Sequence, residues 1–107
     1  MYTVYRDEMV LPDTDKYLNV GTVRTFDEVA PDKDQAKKIL EEAAELYGAW
    51  DIWRKNQGHG DEIQDIKDEA CDLITAVSNL LKSIGVTDIQ KDMKACESRN
   101  REKGRIA

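Results

Sequence analysis

Two clusters of carboxylates are the residues of this chain whose spacing best suits metal chemistry. The first cluster is Glu41, Glu42 and Glu45, and the second is Glu69 and Asp72. Residues three positions apart on an α-helix share a face, so each cluster presents a pair of carboxylates on one side of its helix. Carboxylates held close together repel one another, and a hard divalent cation removes that repulsion. The spacing therefore predicts an all-oxygen site for Mg²⁺, with Mn²⁺ as a possible substitute.

Both clusters border the apolar faces of their helices. At about 100° per residue, Glu42 and Glu45 lie beside the stripe that contains Leu46 and Trp50, and the second cluster flanks the stripe of its own helix in the same way. A glutamate on a helix is commonly solvated surface, and each cluster alone favours that interpretation. Two clusters of matching spacing, both at stripe edges on adjacent helices, favour a single shared site.

Three segments have the apolar spacing of amphipathic helices. The predicted helices run from Pro31 or Asp32 to about Lys55, from about 61 to 83, and from just after Thr87 or Asp88 to Gly104. Glycines follow the first and second segments, as is usual where helices end. We expect an all-α fold in which the two long helices form an antiparallel pair and the third helix is C-terminal.

The apolar stripes of the long helices are wider than a helix pair can cover. Trp50 and Trp53 belong to these stripes, and we interpret both as core or subunit interface, with stacking on a base as the alternative. We therefore expect homo-oligomerisation to complete a helical bundle. A homodimer is the simplest closed arrangement, and a homotetramer remains open.

Residues 1–30 precede the helical domain, which we place at 31–107. We interpret this segment as an irregular arm or lid, with short strands at 3–5 and 17–23, a hairpin through 12–14, and one helical turn at 26–30.

Composition narrows the class of protein. The net charge of -6 makes nucleic acid a poor partner. The chain has neither an apolar run of about 18 residues nor a basic start followed by an apolar stretch, so we expect no membrane span, no signal peptide and a cytoplasmic protein. Cys71 and Cys96 match no zinc pattern and are interpreted as buried, reduced thiols.

The C-terminal tail is basic, in contrast to the acidic middle of the chain. Its polar candidates for phosphate binding are Lys94, Arg99, Asn100, Arg101, Lys103 and Arg105. Cations near a reacting phosphate stabilise its charge, although a basic last turn also suits the helix dipole. Asn79 lies two turns beyond Asp72, where it either reads a base edge or serves as plain surface or interface.

The motifs Glu41-Glu42-x-x-Glu45 and Glu69-x-x-Asp72, followed by Arg99-Asn100 and Lys103-Gly104-Arg105, resemble the MazG-like nucleotide pyrophosphohydrolases. The resemblance covers roughly residues 36–105, and it is to the short phage and bacterial type within the all-α NTP pyrophosphatase superfamily. It implies a hydrolase that uses Mg²⁺ to convert ribo- or deoxyribonucleoside triphosphates into a monophosphate and pyrophosphate. Water would attack the α-phosphorus.

The resemblance also implies a role for each matching residue. Glu42, Glu45, Glu69 and Asp72 would be the metal ligands, and Glu41 would be an accessory ligand or would orient the attacking water. The phosphate-binding residues would come from the tail, and they are Arg99, Asn100, Lys103 and Arg105. No residue is assigned to the base, and the preferred base and sugar stay open.

Two alternatives remain beside this hypothesis. The first is a non-catalytic helical interaction or regulatory module, which the wide apolar stripes favour. The second is a pyrophosphohydrolase of the phosphoribosyl-ATP type. The chain lacks the histidine that this branch carries after its acidic pair, and it also lacks the second set of acids found in dimeric dUTPases.

Overall fold

The computed structural model describes residues 4–6, 9–11, 16–58 and 62–107. These residues form three helices and one two-stranded antiparallel hairpin. The elements are β1 (Val4–Arg6), β2 (Met9–Leu11), α1 (Lys33–Lys55), α2 (Glu62–Ser83) and α3 (Gln90–Glu102). The predicted all-α class is confirmed from residue 16 onward, because no strand occurs in that part of the described chain.

A side-chain cap and a change in backbone conformation set the two ends of helix α1. The Asp32 carboxylate accepts a hydrogen bond from the Gln35 N–H at 2.9 Å, which satisfies one of the free donors of the first turn. The helix ends before two residues of positive φ, Gln57 at 59° and Gly58 at 76°. A Cβ on Gly58 would lie 3.2 Å from the Trp53 ring, so glycine at this position also avoids a tight contact with that ring. The predicted helix is confirmed to within two residues.

Helices α1 and α2 pack against each other and carry the site. At their connection, the Asn56 side chain donates a hydrogen bond to Glu62 at 2.6 Å. Farther along, Glu42 of α1 comes close to carboxylates of α2. Ala76 is the one buried apolar side chain among the residues the structure describes, so the hydrophobic core of the single chain is small.

Helix α3 does not pack against α1 or α2. Its start differs slightly from the prediction, because the cap position is Ile89, which makes no side-chain cap bond. Asp88 instead accepts a hydrogen bond from the Gln90 N–H at 2.8 Å. Met93, part of the predicted apolar seam, is 58% exposed. The seam of α3 is too thin to bind this helix to the others.

The N-terminal hairpin differs from the predicted one. Val4 pairs with Leu11 and Arg6 with Met9, so the first strand pairs with residues 9–11 and not with 17–23. The predicted turn at 12–14 lies outside the described residues. The predicted strand at 17–23 is wrong, since Gly21 has a φ of 73° and its N–H bonds the Asn19 side chain at 3.0 Å. That local turn competes with an extended strand.

The predicted helical turn at 26–30 is also wrong, because these residues are irregular. Pro31 disfavours a helical conformation for Ala30. The Phe26 N–H donates to the side chain of Asn79 on α2. The segment is therefore attached to α2 by this hydrogen bond and forms no helical turn of its own.

The cysteines are free, but the expectation that both are buried is wrong. Cys71 is exposed and Cys96 is only partly buried. None of the helices in the described part of the chain combines the length and apolarity that crossing a bilayer requires.

Candidate metal centre

Three of the five predicted acids come together between α1 and α2. Glu42 of α1 meets Glu69 and Asp72 of α2, and one carboxylate oxygen from each lies within 4.8 Å of the other two. Glu69 and Asp72 are three residues apart on one helix, as their spacing indicated. We call these three side chains the acidic cluster.

The acidic cluster contains two buried oxygens that lack a partner. Glu42 is only 7% exposed, and its Oε2 makes no hydrogen bond within the described chain. The Oε2 of Glu69 is buried and unpartnered in the same way. Leaving a carboxylate oxygen out of water without a donor is costly, so such atoms in native proteins usually face an ion or an ordered water.

Lys38 is the nearest cation to this cluster along α1. Its Nζ lies 3.3 Å from Glu42 Oε1 and 3.6 Å from Glu41 Oε2. The hydrogen bond to Glu42, followed by the charges of Glu42 and Glu41, raises the pKa of Lys38 above its ordinary value. Lys38 is not among the site residues predicted from the sequence, although its position four residues before Glu42 is the standard spacing of a helical ion pair.

Glu41 and Glu45 lie outside the acidic cluster. Both are exposed on α1, and Glu41 contacts Lys38. The helical projection explains the difference from Glu42. Of the three glutamates, Glu42 projects nearest to the centre of the apolar stripe, so it alone is turned into the contact with α2.

A cavity of about 880 Å³ opens beside the acidic cluster. Its walls come from α1, α2 and the segment 24–30, and they include Glu42, Asp72, Lys38, Arg24, Phe26 and Asn79. Small-molecule sites commonly enclose about 300–1,000 Å³. The cavity is therefore of suitable size for a nucleotide and combines acids, cations and one aromatic side chain.

Asn79 is a structural residue of this cavity. It is 2% exposed, and its Oδ1 accepts a hydrogen bond from the Phe26 N–H at 2.9 Å. Of the roles that the sequence left open for Asn79, plain surface is wrong, because the residue is buried and bonded to the segment before α1. That bond is a contact between residues 53 positions apart, which no local spacing could reveal.

The predicted phosphate-binding residues lie away from the acidic cluster within the single chain. They belong to α3 and the turn after it, and none of the four lines the cavity. Asn100 accepts a hydrogen bond from Arg105 at 3.0 Å. The tail residues therefore interact with one another, while Lys38 and Arg24 are the cations at the cavity.

No protein-family model, curated protein or solved structure matches this chain. The resemblance to the MazG-like enzymes thus rests on the motifs themselves, and the function has to be argued from the site.

Proposed function

We propose that this protein is a Mg²⁺-dependent nucleoside triphosphate pyrophosphohydrolase of the MazG-like type. The observation that supports it most is the pair of buried, unpartnered carboxylate oxygens on Glu42 and Glu69, which belong to different helices. Glu42 also lines a cavity of suitable size for a nucleotide. A buried carboxylate oxygen without a hydrogen-bond donor destabilises the folded protein unless a ligand binds it. We propose that this ligand is a metal ion.

The donor set suits Mg²⁺ or Mn²⁺. The acidic cluster offers only carboxylate oxygens, which hard divalent cations prefer, and it has no histidine or thiolate to favour Zn²⁺. Mg²⁺ usually keeps several waters and takes few protein ligands, so three carboxylates are sufficient. When bound, the ion would neutralise negative charge on the phosphate oxygens and would make a water more acidic.

The remaining acids have accessory roles in this proposal. Glu45 is exposed on the same helix as Glu42 and can turn toward the cavity as a fourth ligand. Glu41 would be an accessory ligand or would orient the attacking water, which loses its proton to solvent. Lys38, which contacts Glu41 and Glu42, is placed to bind a phosphate oxygen once the acids bind metal.

The reaction is a hydrolysis at the α-phosphorus. The water oxygen forms a bond to that phosphorus, and the bond from the phosphorus to the oxygen that bridges to the β-phosphorus breaks. Pyrophosphate leaves with the electron pair of the broken bond. The reaction consumes one water, and its products are a nucleoside monophosphate and pyrophosphate.

The protein is proposed to work as a cytoplasmic homo-oligomer in which α1 and α2 form an antiparallel pair. Exposed apolar side chains on α1 include Leu40, Tyr47 and Ile52. A second copy would cover them in a dimer or tetramer, and its α3 would supply Arg99, Asn100, Lys103 and Arg105 to the phosphates.

The same exposed apolar side chains favour a second candidate, a non-catalytic interaction module. The two candidates differ in their response to Mg²⁺. A metal bound only by the folded state must raise the melting temperature, whereas a module without a metal site has no reason to respond.

The proposed function is tested by pyrophosphate release from a panel of ribo- and deoxyribonucleoside triphosphates. Phosphoribosyl-ATP belongs in the panel, because it separates the two kinds of pyrophosphohydrolase. We expect release with Mg²⁺ or Mn²⁺ and none with EDTA. A folded protein that releases no pyrophosphate from any of these compounds, and that Mg²⁺ does not stabilise, would contradict the proposal and favour the interaction module.

A further inference from the structure

The cavity has a second wall that metal binding does not explain. In addition to the acids of α1 and α2, the cavity is lined by Phe26 of the segment 24–30, and this residue is 64% exposed. A large apolar ring left in water beside charged groups is unfavourable, and neither a cation nor a phosphate would cover it. A flat aromatic ligand would.

The backbone at Phe26 is held by a buried side chain. Asn79 is 2% exposed, and its Oδ1 accepts the Phe26 N–H at 2.9 Å. Exchanging a buried amide for an apolar residue of similar size would normally suit the interior of a helix pair better. Asn79 is instead used to attach the irregular segment to α2 at the position of the ring.

We propose that Phe26 is the platform on which the nucleobase of the substrate stacks, and that Asn79 is the positioning residue that holds this platform. The inference rests on the proposed function and extends it to base recognition. Every nucleobase has a π-face, so stacking provides affinity for nucleotides as a class and only modest preference among the bases. Base-free polyphosphates gain nothing from Phe26.

The ring is tested by binding at equilibrium, which does not depend on turnover. The probes are an α,β-methylene nucleoside triphosphate with Mn²⁺, inorganic tripolyphosphate with Mn²⁺, and Mn²⁺ alone, each measured by calorimetry. For Phe26→Leu we expect nucleotide affinity to fall by about fivefold or more, while the affinities for tripolyphosphate and for Mn²⁺ stay unchanged. Phe26→Tyr should restore nucleotide binding. Tyr17→Leu, at an exposed aromatic position that precedes the segment 24–30 and does not line the cavity, should have no effect.

Asn79 is tested in two backgrounds. Asn79→Ala should weaken nucleotide binding in the wild-type protein, and it should add little in Phe26→Leu, because the two residues act as one unit. Equal additional losses in both backgrounds would contradict a role through Phe26. Circular dichroism melts identify variants that have lost the fold, and Phe26→Leu, at an exposed position, tests the platform without that problem.

The outcomes separate this inference from the proposed function. If the wild-type protein binds the nucleotide and Phe26→Leu binds it equally well, the platform is wrong and the proposed function stands. A parallel loss of tripolyphosphate binding would also overturn the platform, since it would show a general effect on the cavity. If the wild-type protein binds no nucleotide at all, both proposals fall.

Discussion

Glu42 combines deep burial with an incomplete set of partners, and that combination distinguishes it from the many glutamates on the surface of this chain. Its Oε1 contacts Lys38, whereas its Oε2 is buried and makes no hydrogen bond among the described residues. Two further carboxylates lie within 4.8 Å. Without metal, the charge of Glu42 is therefore expected to oppose folding.

This residue provides a stability prediction as well as a catalytic one. For Glu42→Gln we expect the metal-free protein to melt at a higher temperature, by about 4–8 °C if repulsion worth about 1 kcal/mol is removed. The variant also loses the charge of the contact with Lys38, whose own side chain is half exposed, and this loss offsets part of the gain. Stabilisation by Mg²⁺ and pyrophosphate release should both be abolished. Thermal melts with EDTA and with Mg²⁺ measure the two effects.

Asp68→Asn is the matched control for that variant. It removes one negative charge from α2 next to Glu69, and it keeps the oxygen that accepts the hydrogen bond from Gln64. We expect its response to Mg²⁺ to equal that of the wild-type protein. A Glu42→Gln protein that is still stabilised by Mg²⁺ would show that the metal binds elsewhere.

Helix α1 contains an ion-pair network near its end that depends on pH. Hydrogen bonds from Lys55 and then Arg54 lower the pKa of Asp51 below its ordinary value. A lowered carboxyl pKa contributes stability above the unfolded-state pKa, and this contribution is lost as the pH falls through the folded-state value. The network therefore stabilises the helix at neutral pH and not in acid.

The predicted consequence is a pH-dependent difference between variants. At pH 7 we expect Asp51→Asn to melt at a slightly lower temperature than the wild-type protein, and Lys55→Gln to show a similar loss. Below about pH 4 the difference for Asp51→Asn should narrow, because the wild-type carboxylate becomes protonated as well. Melts across this range measure it, and a difference that grows in acid would be inconsistent with the sign of the shift.

The helices were predictable because their boundaries are set locally. Asp32 caps α1, Gly85 and Gly104 have positive φ after α2 and α3, and apolar spacing defines the segments between. The hairpin register was not predictable, because three-residue strands carry too few side chains to specify a pairing. The position of α3 was not predictable either, since its seam has little apolar surface to bury.

The candidate site was predictable in part for the same reason. Helical periodicity alone indicated that acids of α1 and α2 border apolar faces, and the structure brings Glu42, Glu69 and Asp72 together. Phe26 could not be assigned, because it reaches the site through a bond to Asn79, 53 positions away. Lys38 could have been found from its i,i+4 spacing to Glu42.

At the scale of the whole molecule, the described part of the single chain buries little apolar surface. Ala76 is the one buried apolar side chain among its described residues, and α3 packs against neither α1 nor α2. The exposed apolar side chains and the separate α3 support the proposed homo-oligomer. In the proposed assembly, the basic tail of one copy reaches the acidic site of another and neutralises the phosphates.

In the proposed reaction, water attacks the α-phosphorus of a nucleoside triphosphate. The most direct test is hydrolysis in ¹⁸O-labelled water with Mg²⁺, followed by mass spectrometry of the products, using the preferred triphosphate of the panel. We predict one labelled oxygen in the nucleoside monophosphate and unlabelled pyrophosphate, with no product in EDTA. Label in pyrophosphate, or release of orthophosphate with a nucleoside diphosphate, would contradict the account.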